Sequence, residues 1–560
     1  MHNAELKEEV IEVIAGGPPK VVTTINEVAA EGAADPPNSF LQSGGMSLRK
    51  VSRMSGKQMD AIPTSSGPQN DAVTKYQEMH DRRSPEELGT LAQIKRFMER
   101  HTADARFREA LSQSMDAPRR VTESYGIRLD PRQALPLFQP DHSRFRFTEE
   151  EGRWPLAKLW DDYFAEMLIC REAFRQTGNC AVANPRFHAW RQRQVRRCKG
   201  ELGCSRTGTM THPILAFELS AGCSVGCWFC GISADSLHDN FRYTEENSSL
   251  WRSILEQAID LFGDAAQTGF CYWATDPADN PDYPKFIEDF FLATGNLPQT
   301  TTAAPLRNPD FTRAVLQLSN RLRCSNTRFS ILTLKTLDAV HKAFTAGELL
   351  RVDLVLQNRE SLTAKAVAGR AKKLHERLKD PEKLARMASS YDDESTIACV
   401  SGFLTNMVNG TIQLITPTRA SDRWPLGYRI YGERRFRTVK EFRAALEDLI
   451  AAHIREEIAG DDLLAFRDDL DYQGNPEGFE LRNAHCRFAL GGFVGAGKLG
   501  DLIHEGHRTG NEIQAALVRA AADVFAVADA LQKLYEAGLL NEDPKCDGIR
   551  SDVRGMATVA

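Results

Sequence analysis

The feature that most constrains this chain is an alternation of short strand-like and helix-like segments that begins near Pro213. The strand-like segments lie at 214–220, 268–275, 298–304, 328–334, 350–357 and 396–408, and the helix-like segments lie at 249–263, 281–295, 309–320 and 337–347. Repeating strand–helix units predict a parallel sheet with helices outside it, which is the α/β class. Six units favour a partial (β/α)6 barrel, in which the chemistry lies on the loops that follow the strands.

The chain divides into four predicted parts around this alternation. Residues 1–85 are rich in Gly, Pro, Ser and Ala and lack sustained periodicity, which predicts poor order. Residues 86–205 are predicted to be a helical unit, and residues 206–420 hold the barrel. Residues 421–560 are predicted to be helical, with a winged-helix-like ending at LYEAGLL. A chain of 560 residues has room for several domains.

Composition narrows the class of protein. The net charge is -6, which argues against a general nucleic-acid binder. No apolar run is long enough to span a membrane, and the start MHNAELKEEV lacks the apolar centre of a signal peptide. We therefore expect a cytoplasmic protein without a membrane or nucleic-acid partner. In such a compartment the 12 cysteines are not expected to form a disulfide framework.

One cysteine cluster stands out, in the sequence FELSAGCSVGCWFCGIS. Cys223, Cys227 and Cys230 are spaced x3 and x2 and follow the first predicted strand directly. Thiolates are soft ligands that suit iron–sulfur clusters and zinc. Three thiolates can hold three irons of a [4Fe-4S] cubane and leave the fourth iron open. The alternatives are a zinc site, which usually needs a second pair of ligands that is not seen nearby, or three core cysteines.

This motif, with Phe229 before its last cysteine, resembles the signature of the radical S-adenosylmethionine (SAM) superfamily. The resemblance implies that SAM binds the open iron and that the barrel is of the radical SAM type. In that superfamily an acidic turn after the second strand binds the SAM amino group, which here points to Asp276, although Ala-Thr-Asp replaces Gly-Gly-Glu. Asp276 could instead be a helix cap. Thr301 in the run TTT and Ser330 are candidate contacts for the ribose and carboxylate of SAM, and alternate strand residues share a face.

A closer resemblance covers about residues 86–545. The segments FELSAGCSVGCWFCGISA, YWATDPADNPDY and STIACVSGFLTNMVNGTIQLITPTRASDRWPLGYRIY are similar to the peptide epimerases that mature proteusins, of the polytheonamide type. The resemblance implies an isomerase that converts L residues of a ribosomally made precursor peptide to D residues. It implies Cα hydrogen abstraction, hydrogen return from a thiol, and an electron donor such as flavodoxin or ferredoxin. The precursor would offer both its leader and its core.

This chemistry needs a cysteine outside the cluster. Cys399, in STIACVSGFL, is the predicted catalytic hydrogen donor, and Cys271 on the second predicted strand is the runner-up. Each could instead be a buried apolar cysteine. An auxiliary cluster is a further possibility for the scattered cysteines, which lack the close spacing that would favour one. These are Cys198, Cys204, Cys324, Cys486 and Cys546.

The basic segment 186–206 allows two interpretations. It is either a solvated helix face or a contact for an acidic peptide or the SAM carboxylate. One of the two helical units, in our hypothesis, grips the precursor leader. Rival functions are another radical SAM peptide modification, namely C-methylation or thioether crosslinking, and a non-catalytic peptide-binding protein stabilised by a metal.

Overall fold

The computed structural model describes residues 20–24, 71–179, 184–203, 207–208, 210–322, 327–363, 365–377, 391–392 and 396–543. Most of the segment predicted to be poorly ordered lies outside these residues. Within it, however, Asp71–Asp81 is a helix, so regular structure begins before Ser84. The helix predicted after Ser84 is confirmed as Pro85–Ala103. Ser84 caps it, since its side chain accepts a hydrogen bond from the Glu87 backbone N–H at 3.1 Å.

The helices and strands are as follows. The α-helices are Asp71–Asp81, Pro85–Ala103, Ala105–Gln113, Pro118–Ser124, Pro140–Ser143, Pro155–Gly178, Pro185–Leu202, Glu245–Phe262, Tyr283–Thr294, Pro309–Arg321, Leu334–Ala343, Ala346–Leu349, Gly369–Arg377, Val439–His453, Ala496–Glu505, Gly510–Arg519 and Val524–Glu536. The strands are Lys20–Thr24, Leu215–Glu218, Ser220–Ala221, Asp239–Asn240, Thr300–Thr302, Thr327–Ile331, Val352–Leu356, Lys365–Ala366, Tyr391–Asp392, Gly402–Asn406, Thr411–Pro417, Tyr428–Arg435, Leu463–Leu464, Asp471–Asn475, Gly478–Arg482, Arg487–Gly491 and Arg508–Thr509.

A row of parallel pairings forms the centre of the fold and confirms the α/β class. Across the row the order is Gly402–Asn406, Leu215–Glu218, Phe270, Gln299 with Thr300–Thr302, Thr327–Ile331 and Val352–Leu356. Two antiparallel strands, Thr411–Pro417 and Tyr428–Arg435, extend it beyond Gly402–Asn406. At the other end Val352–Leu356 has no second strand partner among the described residues. The described strands therefore form no closed barrel.

Two predicted strands are much shorter than expected. The segment 268–275 contributes only a bridge at Phe270, because the chain then leaves the ladder and the Ala274 N–H donates to the Glu218 carboxylate at 2.8 Å. The segment 396–408 becomes a strand only at Gly402. A Cβ at Gly402 would stand 2.1 Å from the Ile214 carbonyl oxygen, so glycine permits the close approach at which pairing begins.

The two faces of the row carry different side chains. On the outer face Phe217 packs edge-on against Trp251 of Glu245–Phe262, with ring centroids 4.9 Å apart, and the core continues to Leu446 of Val439–His453. We call the opposite side the interior face, which carries Ala216, Phe270 and Leu404. Because neighbouring residues of a strand point to opposite faces, the row separates an apolar outer core from the interior face.

The C-terminal region was predicted to be helical, but it also contains a β-sheet. Asp471–Asn475, Gly478–Arg482 and Arg487–Gly491 form an antiparallel meander that precedes three helices. Its buried side chains alternate, as at Phe479 and Leu481, which is the period of a half-buried strand. We call residues 463–540 the C-terminal unit, because their core is separate from that of the row. Residues 428–453, assigned by sequence to the C-terminal part, pack with the row instead.

Among the described helices, none combines the length and the apolar character needed to cross a bilayer.

Candidate cysteine site

The three clustered cysteines lie on one loop that follows the C-terminal end of the strand Leu215–Glu218. We call residues 222–234 the cluster loop. It opens at Gly222, whose φ of 84° and tight packing (a Cβ would stand 2.2 Å from the Ser236 carbonyl oxygen) favour glycine. The Cys223 N–H donates to the Asp235 carbonyl at 2.8 Å, and the Cys230 N–H donates to the Cys227 carbonyl at 3.2 Å. All three thiols are partly exposed.

The thiols of the cluster loop influence one another. Burial raises the pKa of Cys223, and burial together with the neighbouring Cys230 and Cys223 raises the pKa of Cys227 to about 12. The Ala234 N–H points at Cys230 Sγ, 3.4 Å away. Even so, in the part of the chain that the structure describes, no three His, Cys, Asp or Glu side chains are gathered tightly enough to hold a metal ion.

Two polar anchors fix the cluster loop. Asp279 accepts the Ser224 N–H at 2.9 Å and the Ser224 hydroxyl, and it pairs with Arg307 at 2.5 Å. Arg370 holds the other side, because its backbone N–H donates to the Cys230 carbonyl at 3.0 Å and its guanidinium reaches the Ala234 carbonyl. Protein contacts therefore position the loop on both sides.

Asp276, the predicted SAM contact, lies at the predicted turn but is already engaged. Its carboxylate caps Pro277–Asp279 through the Ala278 N–H at 2.9 Å. It also accepts the Thr302 hydroxyl at 2.7 Å and the Ala303 N–H at 2.8 Å. Burial raises the pKa of Asp276, and these donors oppose that shift. Asp276 thus caps a short 3-10 turn and not the helix Tyr283–Thr294 that follows, whose N-cap is Asp282. A direct SAM contact stays a prediction.

The other predicted cofactor residues lie on or near the interior face. Thr301 stands opposite Arg328 in the ladder and donates its hydroxyl to the Tyr272 hydroxyl at 2.7 Å. Ser330 shares a face with Arg328, because the intervening Phe329 packs in the outer core. Phe229 lies on the cluster loop, where its ring contacts Trp228 edge-on at 5.0 Å.

Cys399 reaches the interior face from an irregular segment rather than from a strand. It precedes Gly402–Asn406 and packs in one apolar cluster with Cys230 and Tyr272. The segment also touches the cluster loop, since a Cβ at Gly231 would stand 2.7 Å from Ile397 Cδ1. Burial raises the pKa of Cys399 to about 11, and the positive charge of Arg328 only partly opposes this shift.

The runner-up donor has a different environment. Cys271 is 1% exposed and belongs to the outer core, whereas its neighbours Phe270 and Tyr272 pack on the interior face. Cys198 and Cys486 are buried apart from the cluster loop, and Cys486 donates to the Gly200 carbonyl at 3.5 Å. The remaining auxiliary candidates, Cys204, Cys324 and Cys546, lie outside the described residues.

Charged residues of the interior face were missed by sequence reasoning. Arg328 pairs with Asp353 at 3.5 Å across neighbouring strands. With its amide turned so that the oxygen faces Arg328, Gln299 accepts from Nη1 at 2.7 Å. Arg171 joins the group, and burial followed by the charge of Arg328 lowers the pKa of Arg171 to about 10. The available signal was an Arg and an Asp inside adjacent predicted strands.

Three arginines of the basic segment proved to be structural, whereas Arg186 and Arg196 are exposed. We call Pro185–Leu202 the arginine helix. Its Arg191, Arg193 and Arg197 are at most 2% exposed, so the solvated-face interpretation is wrong for them. Arg193 pairs with Glu542 at 2.9 Å, and Arg197 pairs with Glu201 at 2.6 Å. The guanidinium groups of Arg193 and Arg197 therefore donate to acceptors within the protein.

Comparison with known proteins places the chain in a family. Residues 464–538, within the C-terminal unit, match the family model described as "Protein y4wI C-terminal domain". The chain is also 46% identical over 471 residues to the protein named "Uncharacterized protein y4wI" of Sinorhizobium fredii (strain NBRC 101917 / NGR234), covering 84% of this chain and 90% of that protein. The chain therefore belongs to the y4wI family. No solved structure matches it.

Proposed function

We propose that the protein is a radical SAM peptide epimerase that converts L residues of a ribosomally made precursor peptide to D residues. Cys223, Cys227 and Cys230 hold a [4Fe-4S] cluster, and Cys399 is the hydrogen donor. One observation carries the proposal: Cys399 packs with the same group of apolar side chains as Cys230 of the cluster loop, on the interior face. SAM bound at the [4Fe-4S] cluster and the Cys399 thiol can thus act on the same peptide residue.

The cluster loop fits a cubane better than a single ion. Each thiolate of a [4Fe-4S] cluster binds a different iron, so the sulfurs need not converge on one point as they do around zinc. The N–H that Ala234 directs at Cys230 Sγ is the kind of hydrogen bond that tunes cluster sulfurs. When bound, the cluster and SAM supply the radical that removes the Cα hydrogen of a peptide residue.

Cys399 suits hydrogen-atom donation. With a pKa raised to about 11, the Cys399 thiol keeps its S–H proton at neutral pH, and hydrogen-atom donation requires an intact S–H bond. The S–H bond breaks as a new Cα–H bond forms on the opposite face, which leaves a sulfur radical. An external donor such as flavodoxin or ferredoxin then returns one electron, with a proton from solvent, to restore the thiol.

Polar groups beside Cys399 can orient the peptide. Tyr272 and Thr301 form a hydroxyl pair on the interior face, and Arg328 with Asp353 adds a charged pair. Peptide groups need such donors and acceptors when they leave water. Tyr272, Arg328 and Asp353 therefore position substrate, and Thr301 and Ser330 remain the proposed contacts for the ribose and carboxylate of SAM.

The rival functions differ in their products. C-methylation and thioether crosslinking share the cluster but transfer a methyl group or join a sulfur to carbon. A non-catalytic peptide-binding protein would bind zinc or no metal. The partly exposed cluster thiols and the protonated Cys399 together favour epimerisation, because only that reaction uses a separate thiol as a hydrogen donor.

Anaerobic reconstitution with iron and sulfide tests the cluster. We expect a brown protein that cleaves SAM to 5′-deoxyadenosine when reduced. The triple variant C223A/C227A/C230A should lose both properties. The matched variant C271A, which removes a buried cysteine of the outer core, should keep them. A wild-type protein that stays colourless, or that takes up zinc alone, would overturn the proposal.

A further inference from the structure

The sheet of the C-terminal unit receives a strand from the opposite end of the chain. Arg487–Gly491 pairs on one side with Gly478–Arg482 of the same unit. On its other side it pairs with Lys20–Thr24. This second pairing is antiparallel and runs through five residue pairs. The N-terminal segment thus completes a sheet to which it is not adjacent in sequence.

Strand addition of this kind depends mainly on the backbone. An extended peptide gains main-chain hydrogen bonds along the edge, and pockets for alternate side chains add selectivity. Without Lys20–Thr24, the strand Arg487–Gly491 would present a row of unpaired N–H and C=O groups. Any linear segment that takes an extended conformation can satisfy the same groups. The edge is therefore suited to a peptide and not to a folded surface.

A helix and two exposed apolar side chains lie in the surroundings of the edge. Val524–Glu536 runs beside Lys20–Thr24. Val494 and Phe525 are 66% and 81% exposed, which is unusual for large apolar side chains. The backbone beside Val494 approaches the segment that leads to Phe525, because a Cβ at Gly495 would stand 3.4 Å from Ala522 Cβ. Because Gly491 pairs with Lys20, a longer peptide would continue past the end of the strand that precedes Val494.

The other edge of the sheet has none of these features. Asp471–Asn475 is exposed at four of its five positions, whereas Phe488 and Leu490 of Arg487–Gly491 are buried. Its Tyr472 hydroxyl donates to Asp501 at 2.7 Å. Of the two edges of this sheet, the contrast favours the edge of Arg487–Gly491 for peptide binding.

We propose that the edge of Arg487–Gly491 binds an extended segment of the peptide substrate, and that Lys20–Thr24 occupies this site in cis as a competitor. The ligand is a linear peptide with β-branched residues at strand positions, as in the sequence VVTT, and an apolar residue toward Val494 and Phe525. That the ligand is the enzyme's substrate rests on the proposed function, whereas the site does not. A tethered segment has an effective concentration of up to about a millimolar, so it weakens binding of an external peptide.

Fluorescence anisotropy with a labelled peptide of sequence GPPKVVTTIN tests the site on the full-length protein. The variant V21P/V22P should release the segment in cis, because neighbouring residues of an edge strand donate alternately toward the partner and proline has no N–H. We expect it to bind the peptide about tenfold more tightly than wild type, or better. The matched variant V21T/V22T keeps both N–H groups and should behave as wild type.

Hydrogen exchange locates the binding. Amides of 487–491 should exchange faster in V21P/V22P and regain protection when the peptide is added. Equal peptide affinity for wild type and V21P/V22P, no binding to either, or unchanged exchange in 487–491 would overturn the proposal. So would a wild-type dimer that dissociates in V21P/V22P, since the strand would then come from a second copy. No iron or SAM is needed, so the result is independent of the proposed chemistry.

Discussion

The cluster loop and the arginine helix are both marked in sequence by chemically active residues, yet the structure treats them in opposite ways. The thiols of the loop, at Cys223, Cys227 and Cys230, keep partial exposure. The arginines of the helix, at Arg193 and Arg197, are buried and fully engaged by carboxylates and carbonyls. Reactive groups that remain accessible can bind a cofactor, whereas buried and paired groups hold the fold together.

The largest expected effect falls on Cys399. The variant C399A should still form 5′-deoxyadenosine in the presence of peptide but yield no stable D residues, because the planar Cα radical loses its donor. Chiral amino-acid analysis of the hydrolysed product measures this. The control C271A removes the runner-up thiol, which faces the outer core, and should keep epimerisation. Full epimerisation by C399A would remove that residue from the mechanism.

The arginine helix provides the largest expected effect on stability. Arg197 is 2% exposed, and its guanidinium donates to Glu201 at 2.6 Å and to the Pro417 carbonyl at 2.8 Å. R197A removes the nearer of two guanidinium groups that pair with the buried Glu201 carboxylate, and it leaves the Pro417 carbonyl without this donor. It should lower the free energy of unfolding by about 3 kcal/mol. The exposed Arg196 on the same helix is the control, and R196A should cost less than about 1 kcal/mol. Equal urea midpoints for the two variants would contradict the structural role.

Acid should destabilise the fold through three buried histidines. Burial lowers the pKa of His80 to about 4 and the pKa values of His101 and His212 to about 3. Because unfolded histidine binds its proton near pH 6.5, their stabilisation is complete above that pH and is lost as the pH falls toward the folded values. Between pH 7.5 and 5.5 each should contribute a loss of about 1.4 kcal/mol, or about 4 kcal/mol in all.

The variant H101F isolates one of these contributions. It should reduce the loss between the two pH values by about 1.4 kcal/mol, whereas H507F, at an exposed site, should leave it unchanged. Urea unfolding at the two pH values measures both. An equal loss of stability in H101F and H507F would show that the His101 imidazole is not buried in the neutral form.

The smallest expected effect concerns the anchor of the cluster loop. D279N weakens the bonds to Ser224 and Arg307, so the loop should open locally more often. We expect Cys223 to react about tenfold faster with an alkylating reagent, which corresponds to about 1.4 kcal/mol. The control D260N loses only a surface pair with Arg443 and should leave the rate unchanged. An unchanged rate in D279N would show that Asp279 does not restrain the loop.

Local sequence signals predicted the parallel row and the loop position of the cysteines well. The hydrophobic runs around Phe217, Phe329 and Leu354 are buried strands, and Ser84 caps its helix as expected. Burial of charge could not be predicted in the same way. Arg197 finds its partners partly at Thr416 and Pro417, far along the chain, and such contacts exist only after folding.

The interior face shows the same limit. Cys399 was predicted from its place in a segment, and its approach to Cys230 comes from an irregular stretch that strand periodicity did not indicate. Asp276 illustrates the reverse case, because a carboxylate in a predicted binding turn is used by its own backbone neighbours. Partner choice among polar side chains depends on tertiary contacts that a pattern of residue types does not contain.

Turnover of a precursor peptide in D2O tests the central claim most directly. The thiol of Cys399 exchanges with solvent, so it delivers deuterium to Cα when it quenches the radical. The account predicts one deuterium for each inverted residue, found at Cα by tandem mass spectrometry, and none in a C399A reaction. A product that gains a methyl group, that loses hydrogen through a crosslink, or that contains D residues without deuterium would contradict it.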